Sequence, residues 1–138
     1  MKTMTKSQRK RSIPRKPGVG GKRSSAEGIR ELRVRLSPVS ERPVSQQRFS
    51  HLLGVSWSTV ARWEGGGQPD PPLKRKLIRL RQTLDALGDM VRPEHRLAFL
   101  EQNHPLLLSL RPIDLLDTDK GAEAVLSMLR GAESGAFA

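Results

Sequence analysis

Residues 45–64 read SQQRFSHLLGVSWSTVARWE, two short helical patterns pinched around Gly54. At helical spacing Phe49, Leu52 and Leu53 share one apolar face. Gly54-Val55 interrupts that face, and Ser56 opens a second run in which Val60 and Trp63 turn inward. Helix, tight glycine-containing turn and helix make up the helix-turn-helix that reads the major groove. Periodicity alone would fit any surface helix pair in a small basic bundle. The glycine turn, the short helices and the excess positive charge favour a duplex-DNA binder.

The N-terminal turns of a recognition helix enter the groove, so its solvent flank supplies the candidate readers: Ser56, Trp57, Ser58, Thr59 and Arg62. Arg62 suits either a bidentate contact to guanine or a phosphate. Ser58 and Thr59 suit a base edge or a phosphate. Trp57 fits a thymine methyl or the sugar wall if exposed, and the core if not. Trp63, three residues after Val60, is assigned to the core. Gln46 and Gln47 open the preceding helix, where side chains and helix N-terminal amides together suit a phosphate.

Working outward, a first helix is expected from Ser25 to about Ser37, with Ile29, Leu32 and Leu36 inward and Pro38 ending it. The loop SPVSERPV follows. Beyond Trp63, Gly65-Gly66-Gly67 and the stiff segment QPDPP precede a fourth helix from Leu73 to about Leu87. Its leucines 73, 77, 80, 84 and 87 form one face, with Lys74, Arg75, Arg79 and Arg81 expected outside. A further unit begins near Arg92: a helix from Pro93 to about Asn103, the run LLLSL, one helical turn at IDLLD, and a Thr118-capped helix from Asp119 to about Arg130. No strand pattern survives the prolines and glycines. The expected architecture is all-α: a basic arm at 1–24, a helix-turn-helix bundle at 25–90 and a small helical unit at 91–138.

The net charge of +11 is graded along the chain. Residues 1–24 hold nine Lys/Arg and no acid, residues 25–90 eleven against seven, and residues 91–138 five against seven. A polyanion partner for the first two stretches and a different partner for the last follows. The arm, with two prolines, three glycines and few large apolar groups, buries too little to order by itself. Lys10 and Arg11 are its candidate DNA contacts, along phosphates or in a minor groove. With aromatics at 4% and no Tyr, a stacking platform for single strands is hard to build.

Other functions find little support. Cysteine is absent, which excludes disulfides and thiolate metal sites. No stretch approaches the roughly 20 apolar residues of a membrane span, so a cytoplasmic protein without membrane contact is expected. His51, His95 and His104 are scattered. Asp114, Asp117 and Asp119 are better explained by capping and solvation of helix starts than by a metal. The triple glycine lacks the Lys-Ser/Thr of a phosphate loop. No catalysis, cofactor or metal is expected. Leu106, Leu107 and Leu108 exceed what a small module can bury, leaving an apolar patch rimmed by Arg111 and the IDLLD acids, unless LLLSL packs under the N-terminal bundle.

Residues 45–64 closely resemble the Xre-type helix-turn-helix family, which often reads SQxxFAxLLGVSxxTVxRWExG. The matching positions are Ser45, Gln46, Phe49, Leu52, Leu53, Gly54, Val55, Ser56, Thr59, Val60, Arg62, Trp63, Glu64 and Gly66. His51 stands where the family usually has a small residue, a departure expected to loosen the second helix. RPIDLLDTDKGAEAVLSMLRGAESGAF resembles the C-terminal module of the Xre/MbcA/ParS group of antitoxins, through Arg111, Pro112, Asp114, Leu115, Leu116, Gly121, Ala122, Val125, Leu129, Gly135 and Phe137. Together the two stretches lie within residues 45–137, in the family's order. The resemblance implies an antitoxin that neutralises a RES-type, NAD-consuming toxin and represses its own operon. It would act as a homodimer or within a higher hetero-oligomer. Leu107, Leu108, Arg111, Asp114, Asp117 and Phe137 are its candidate toxin contacts, with Phe137 inserted into the toxin's cleft. A homodimeric regulator with no toxin is the alternative, and a sequence-indifferent DNA-coating protein a third.

Overall fold

The computed structural model describes residues 25–39, 42–88 and 90–133. The arm with Lys10 and Arg11, and the terminal Phe137, lie outside the described residues. The elements are α1 (Ser25–Arg35), α2 (Gln46–Leu53), α3 (Trp57–Glu64), α4 (Pro71–Leu87), α5 (Pro93–Glu101), a 3-10 turn (Pro105–Leu107), α6 (Pro112–Leu115) and α7 (Asp119–Glu133). The described residues contain no strand, so the architecture is all-helical, as expected.

Local chemistry sets the helix-turn-helix. Ser45 caps α2 by accepting the Arg48 N–H at 3.0 Å, and Ser56 caps α3 by accepting that of Thr59 at 3.3 Å. Gly54 ends α2 in the left-handed region at φ 74°, and its N–H returns to the last carbonyls of α2. Phe49, Leu52, Leu53, Val60 and Trp63 are all buried, as their spacing predicts. The expected loosening at His51 does not occur. His51 is exposed, and the small Ser50 occupies the buried position beside Phe49.

α1 packs on α3, α2 on α3, and α4 on α7, while α6 packs on both α5 and α7. The buried side chains form one hydrophobic cluster from Ile29 to Leu129, in which Leu80 and Leu84 of α4 join Ile113, Leu116 and Val125.

α4 departs twice from expectation. It begins at Pro71, not Leu73, because a helix's first turn needs no proline N–H and suits proline's fixed φ. Its cations are also not all outward. Lys74 and Arg75 are exposed, but Arg79 is buried and Arg81 is half-buried in an ion pair with Glu31 of α1. Lys76 is buried too, with its Nζ 2.8 Å from Asp117. Arg79 donates to the Leu116 carbonyl at 3.1 Å and pairs with Asp119. These two cations of α4 grip the junction between α6 and α7. Further ties run from Arg48 of α2 to Glu101 of α5, and from Arg96 of α5 to the Arg35 carbonyl at 2.9 Å.

Thr118 caps α7 through the Gly121 N–H at 3.0 Å. Gly121 itself is an obligate close approach: a Cβ there would stand 2.0 Å from the Leu115 carbonyl oxygen. That contact lets α6 and α7 meet at their corner.

Candidate nucleic-acid interface and partner surface

α3 buries Val60 and Trp63 and turns its opposite side to solvent. Ser56, Trp57, Ser58 and Arg62 are exposed, Thr59 partly so. The choice left open for Trp57 is resolved: 57% of it is exposed. Ser56 Oγ lies 3.1 Å from Ser58 Oγ and 2.8 Å from Thr59 Oγ1, so the three hydroxyls form one local network at the start of α3. The Arg62 guanidinium has no ion pair among the described residues.

A polar clamp beneath α3 fixes its orientation. Glu64, at the end of α3, accepts from Arg33 Nη1 of α1 at both carboxylate oxygens, 2.8 and 2.7 Å away. Arg33 Nε also donates to the Val44 carbonyl at 2.8 Å, which binds the end of the long loop to α1. Gln46 joins the same clamp through Nε2, 2.9 Å from Glu64 Oε1. One of the two Gln46 amide hydrogens is thereby given to Glu64, which leaves the other for the phosphate contact expected of this side chain. Gln47 is exposed at the first turn of α2 and keeps the expected position. The sequence carries no sign of this clamp, because a contact 31 residues away in the chain leaves no periodic signature.

The second surface lies on the loop between α5 and α6. Leu107 is corrected from contact residue to anchor: at 5% exposure it is part of the core and tethers the 3-10 turn. Leu108 points outward at 87% exposure, flanked by exposed Leu106 and Leu110. Leu108 and Ser109 both occupy the left-handed region, at φ 58° and 61°. For non-glycine residues that conformation is costly. The loop is closed across its base by the Ser109 N–H to His104 carbonyl bond at 2.9 Å and the His104 N–H to Leu110 carbonyl bond at 3.2 Å. A strained, closed loop thus displays three leucines as a knob.

Arg111 stands beside the knob in a two-bond pair with Asp114, Nε to Oδ2 and Nη2 to Oδ1, both 2.8 Å. Hydrogen bonding from Arg111 holds the Asp114 carboxyl below its ordinary value and correspondingly raises Arg111. Asp117, also expected to face a partner, is instead engaged by Lys76. Its exposed rim still borders solvent, but its charge is already matched by α4. Leu106 and Leu110 complete the surface; nothing in the run LLLSL marks Leu107 as the one leucine that turns in.

Among the described residues, no group of three or more His, Cys, Asp or Glu is arranged to hold a metal ion. None of their helices is long and apolar enough to cross a membrane.

No protein-family model matches the chain, and no curated protein matches it. Among solved structures, a chain of the "Crystal structure of the M.tuberculosis MbcT-MbcA toxin-antitoxin complex" is similar, at 24% sequence identity and a TM-score of 0.63. The match covers 82% of this chain and 96% of that one. The two chains share a fold.

Proposed function

We propose that this chain is an antitoxin that binds duplex DNA through α2 and α3 and a protein toxin through residues 91–138. The observation that carries the reading is the coexistence, in one fold, of an outward-facing recognition flank and a strained leucine knob. Support comes from the fold shared with a chain of a toxin-antitoxin complex along nearly that chain's whole length. The RPIDLL stretch adds the finer identity by resemblance: a RES-type toxin that consumes NAD, and repression of the chain's own operon.

In this mechanism α3 enters the major groove, with Arg62 and Trp57 at the base edges and Gln47 near a phosphate. Lys10 and Arg11 add sequence-independent phosphate contacts. Two copies place their α3 helices about 34 Å apart on a palindrome. The knob of Leu106, Leu108 and Leu110 provides the apolar centre of the toxin contact, with Arg111 and Asp114 as its polar rim. Phe137 enters the toxin's cleft.

An affinity-tagged copy expressed in its own cell, followed by identification of the co-purifying protein, tests the reading. Recovery of an NAD-consuming toxin, silenced when bound and altering occupancy of a labelled operator, is the expected result. Operator binding with no toxin recovered and no toxin encoded beside the gene would leave a standalone regulator instead.

A further inference from the structure

Successive residues of a helix stand about 100° apart, which sets Trp57 and Arg62 about 140° from one another around α3. Between them on the outward side lie only Ser58 and Ala61. Two long side chains therefore flank a low floor of small ones, a shape that lets the helix backbone come close to base edges. Arg62 supplies hydrogen-bond donors at one edge. Trp57 supplies a large apolar surface at the other, at the first residue of α3, where a recognition helix reaches deepest.

The neighbours of Trp57 narrow what it reads. The hydroxyls of Ser56, Ser58 and Thr59 form one network whose remaining donors and acceptors are polar, so the apolar contact at that end of the helix is left to Trp57. Among the described residues Trp57 is the one exposed aromatic: Phe49 and Trp63 are buried and Phe99 is half-buried. A lone aromatic does not make the successive stacking platform that single strands need. The apolar feature a base pair presents in the major groove is the thymine 5-methyl group.

The geometry points to the Trp57 indole as the thymine-reading group of α3, seated on the 5-methyl of one thymine while Arg62 serves a neighbouring position. The inference rests on the duplex-binding reading above and deepens it.

The test uses the full chain and a duplex enriched by repeated selection from a random pool. Each thymine of the enriched site is replaced singly by uracil, which removes the methyl and keeps the pairing. Removal at the contacted thymine weakens wild-type binding about four-fold, the worth of one buried methyl group. Trp57→Ala abolishes the thymine-over-uracil preference there, Arg62→Ala retains it, and Trp57→Phe keeps part of it. Acrylamide quenching gives an independent reading, because Trp63 is fully buried and Trp57 is not: duplex shields the wild-type emission and leaves that of Trp57→Ala unchanged. An enriched site at which no uracil matters, or a preference that survives in Trp57→Ala, overturns the inference while duplex binding stands. If no duplex is enriched, the DNA-binding reading falls and this inference falls with it.

Discussion

The Cα of Gly121 meets the Leu115 carbonyl so closely that a Cβ would come within 2.0 Å of its oxygen, 2.8 Å of its carbon and 2.9 Å of Thr118 Oγ1. Two of those atoms are backbone and cannot swing aside. Gly121→Ala is expected to destabilise the chain by at least about 1–3 kcal/mol, the usual cost of overpacking. Gly54→Ala is the control: nothing lies within 4 Å of a Cβ there, so its cost is the left-handed backbone alone, about 1–2 kcal/mol. Urea unfolding of both variants checks the order.

Glu64 offers a second test. Truncating it strands the Arg33 guanidinium, whose side chain is only 10% exposed, without its carboxylate. Glu64→Ala is expected to cost about 3–5 kcal/mol, as for other broken buried pairs. If α3 reads an operator, as proposed, affinity for it is expected to fall in parallel, because the same carboxylate orients α3 against α1 and α2. Replacing Arg33 and Glu64 together by methionines should restore much of the stability, since no unpaired charge is left behind. A double-mutant cycle by thermal unfolding reads the coupling.

Leu108 predicts opposite signs for stability and binding. It is exposed and left-handed, so Leu108→Gly relieves backbone strain and loses little burial. The variant is expected to be as stable as the parent or up to about 1 kcal/mol more so. If the knob is the toxin contact, the same change weakens the complex about ten-fold or more, as loss of a central apolar anchor does. Calorimetric unfolding and a titration with the toxin separate the two effects.

The Arg111–Asp114 pair sets a pH dependence. Arg111 lowers the Asp114 pKa from its ordinary 3.8, so the folded chain holds that proton less tightly than the unfolded one. The pair's contribution is complete above the ordinary value and disappears as pH falls through the depressed one. Since both side chains are about half exposed, the contribution is small. Carbon NMR of the Asp114 carboxyl should give a midpoint below 3.8, and Arg111→Ala should move it upward.

The helix-turn-helix was legible because each element answers to local rules: a serine cap, a glycine in the left-handed turn, and apolar residues at helical spacing. The buried cations were not. The leucines of α4 define the face it turns to one neighbour, and each of Lys76, Arg79 and Thr83 stands one residue before a leucine of that face. They form a second buried stripe only because α7 lies along that flank, which a single helix's period does not record. Pro71 and Pro72 read as a break, although the first turn of a helix accepts both. At the candidate surfaces, residue type was informative about the flank of α3, where polar and aromatic side chains do face solvent. It was silent about which of Leu106, Leu107 and Leu108 turns inward, because that depends on two left-handed residues in succession and the loop closure they permit.

Lys76 and Arg79 fasten the α6–α7 corner to α4, while Arg48 and Arg96 tie α5 to α2 and to the end of α1. If α3 reads an operator and the leucine knob holds a toxin, as proposed, that cargo would ride above the duplex at a constant bearing. The spacing between neighbouring operator sites would then determine whether two such loads collide or nest.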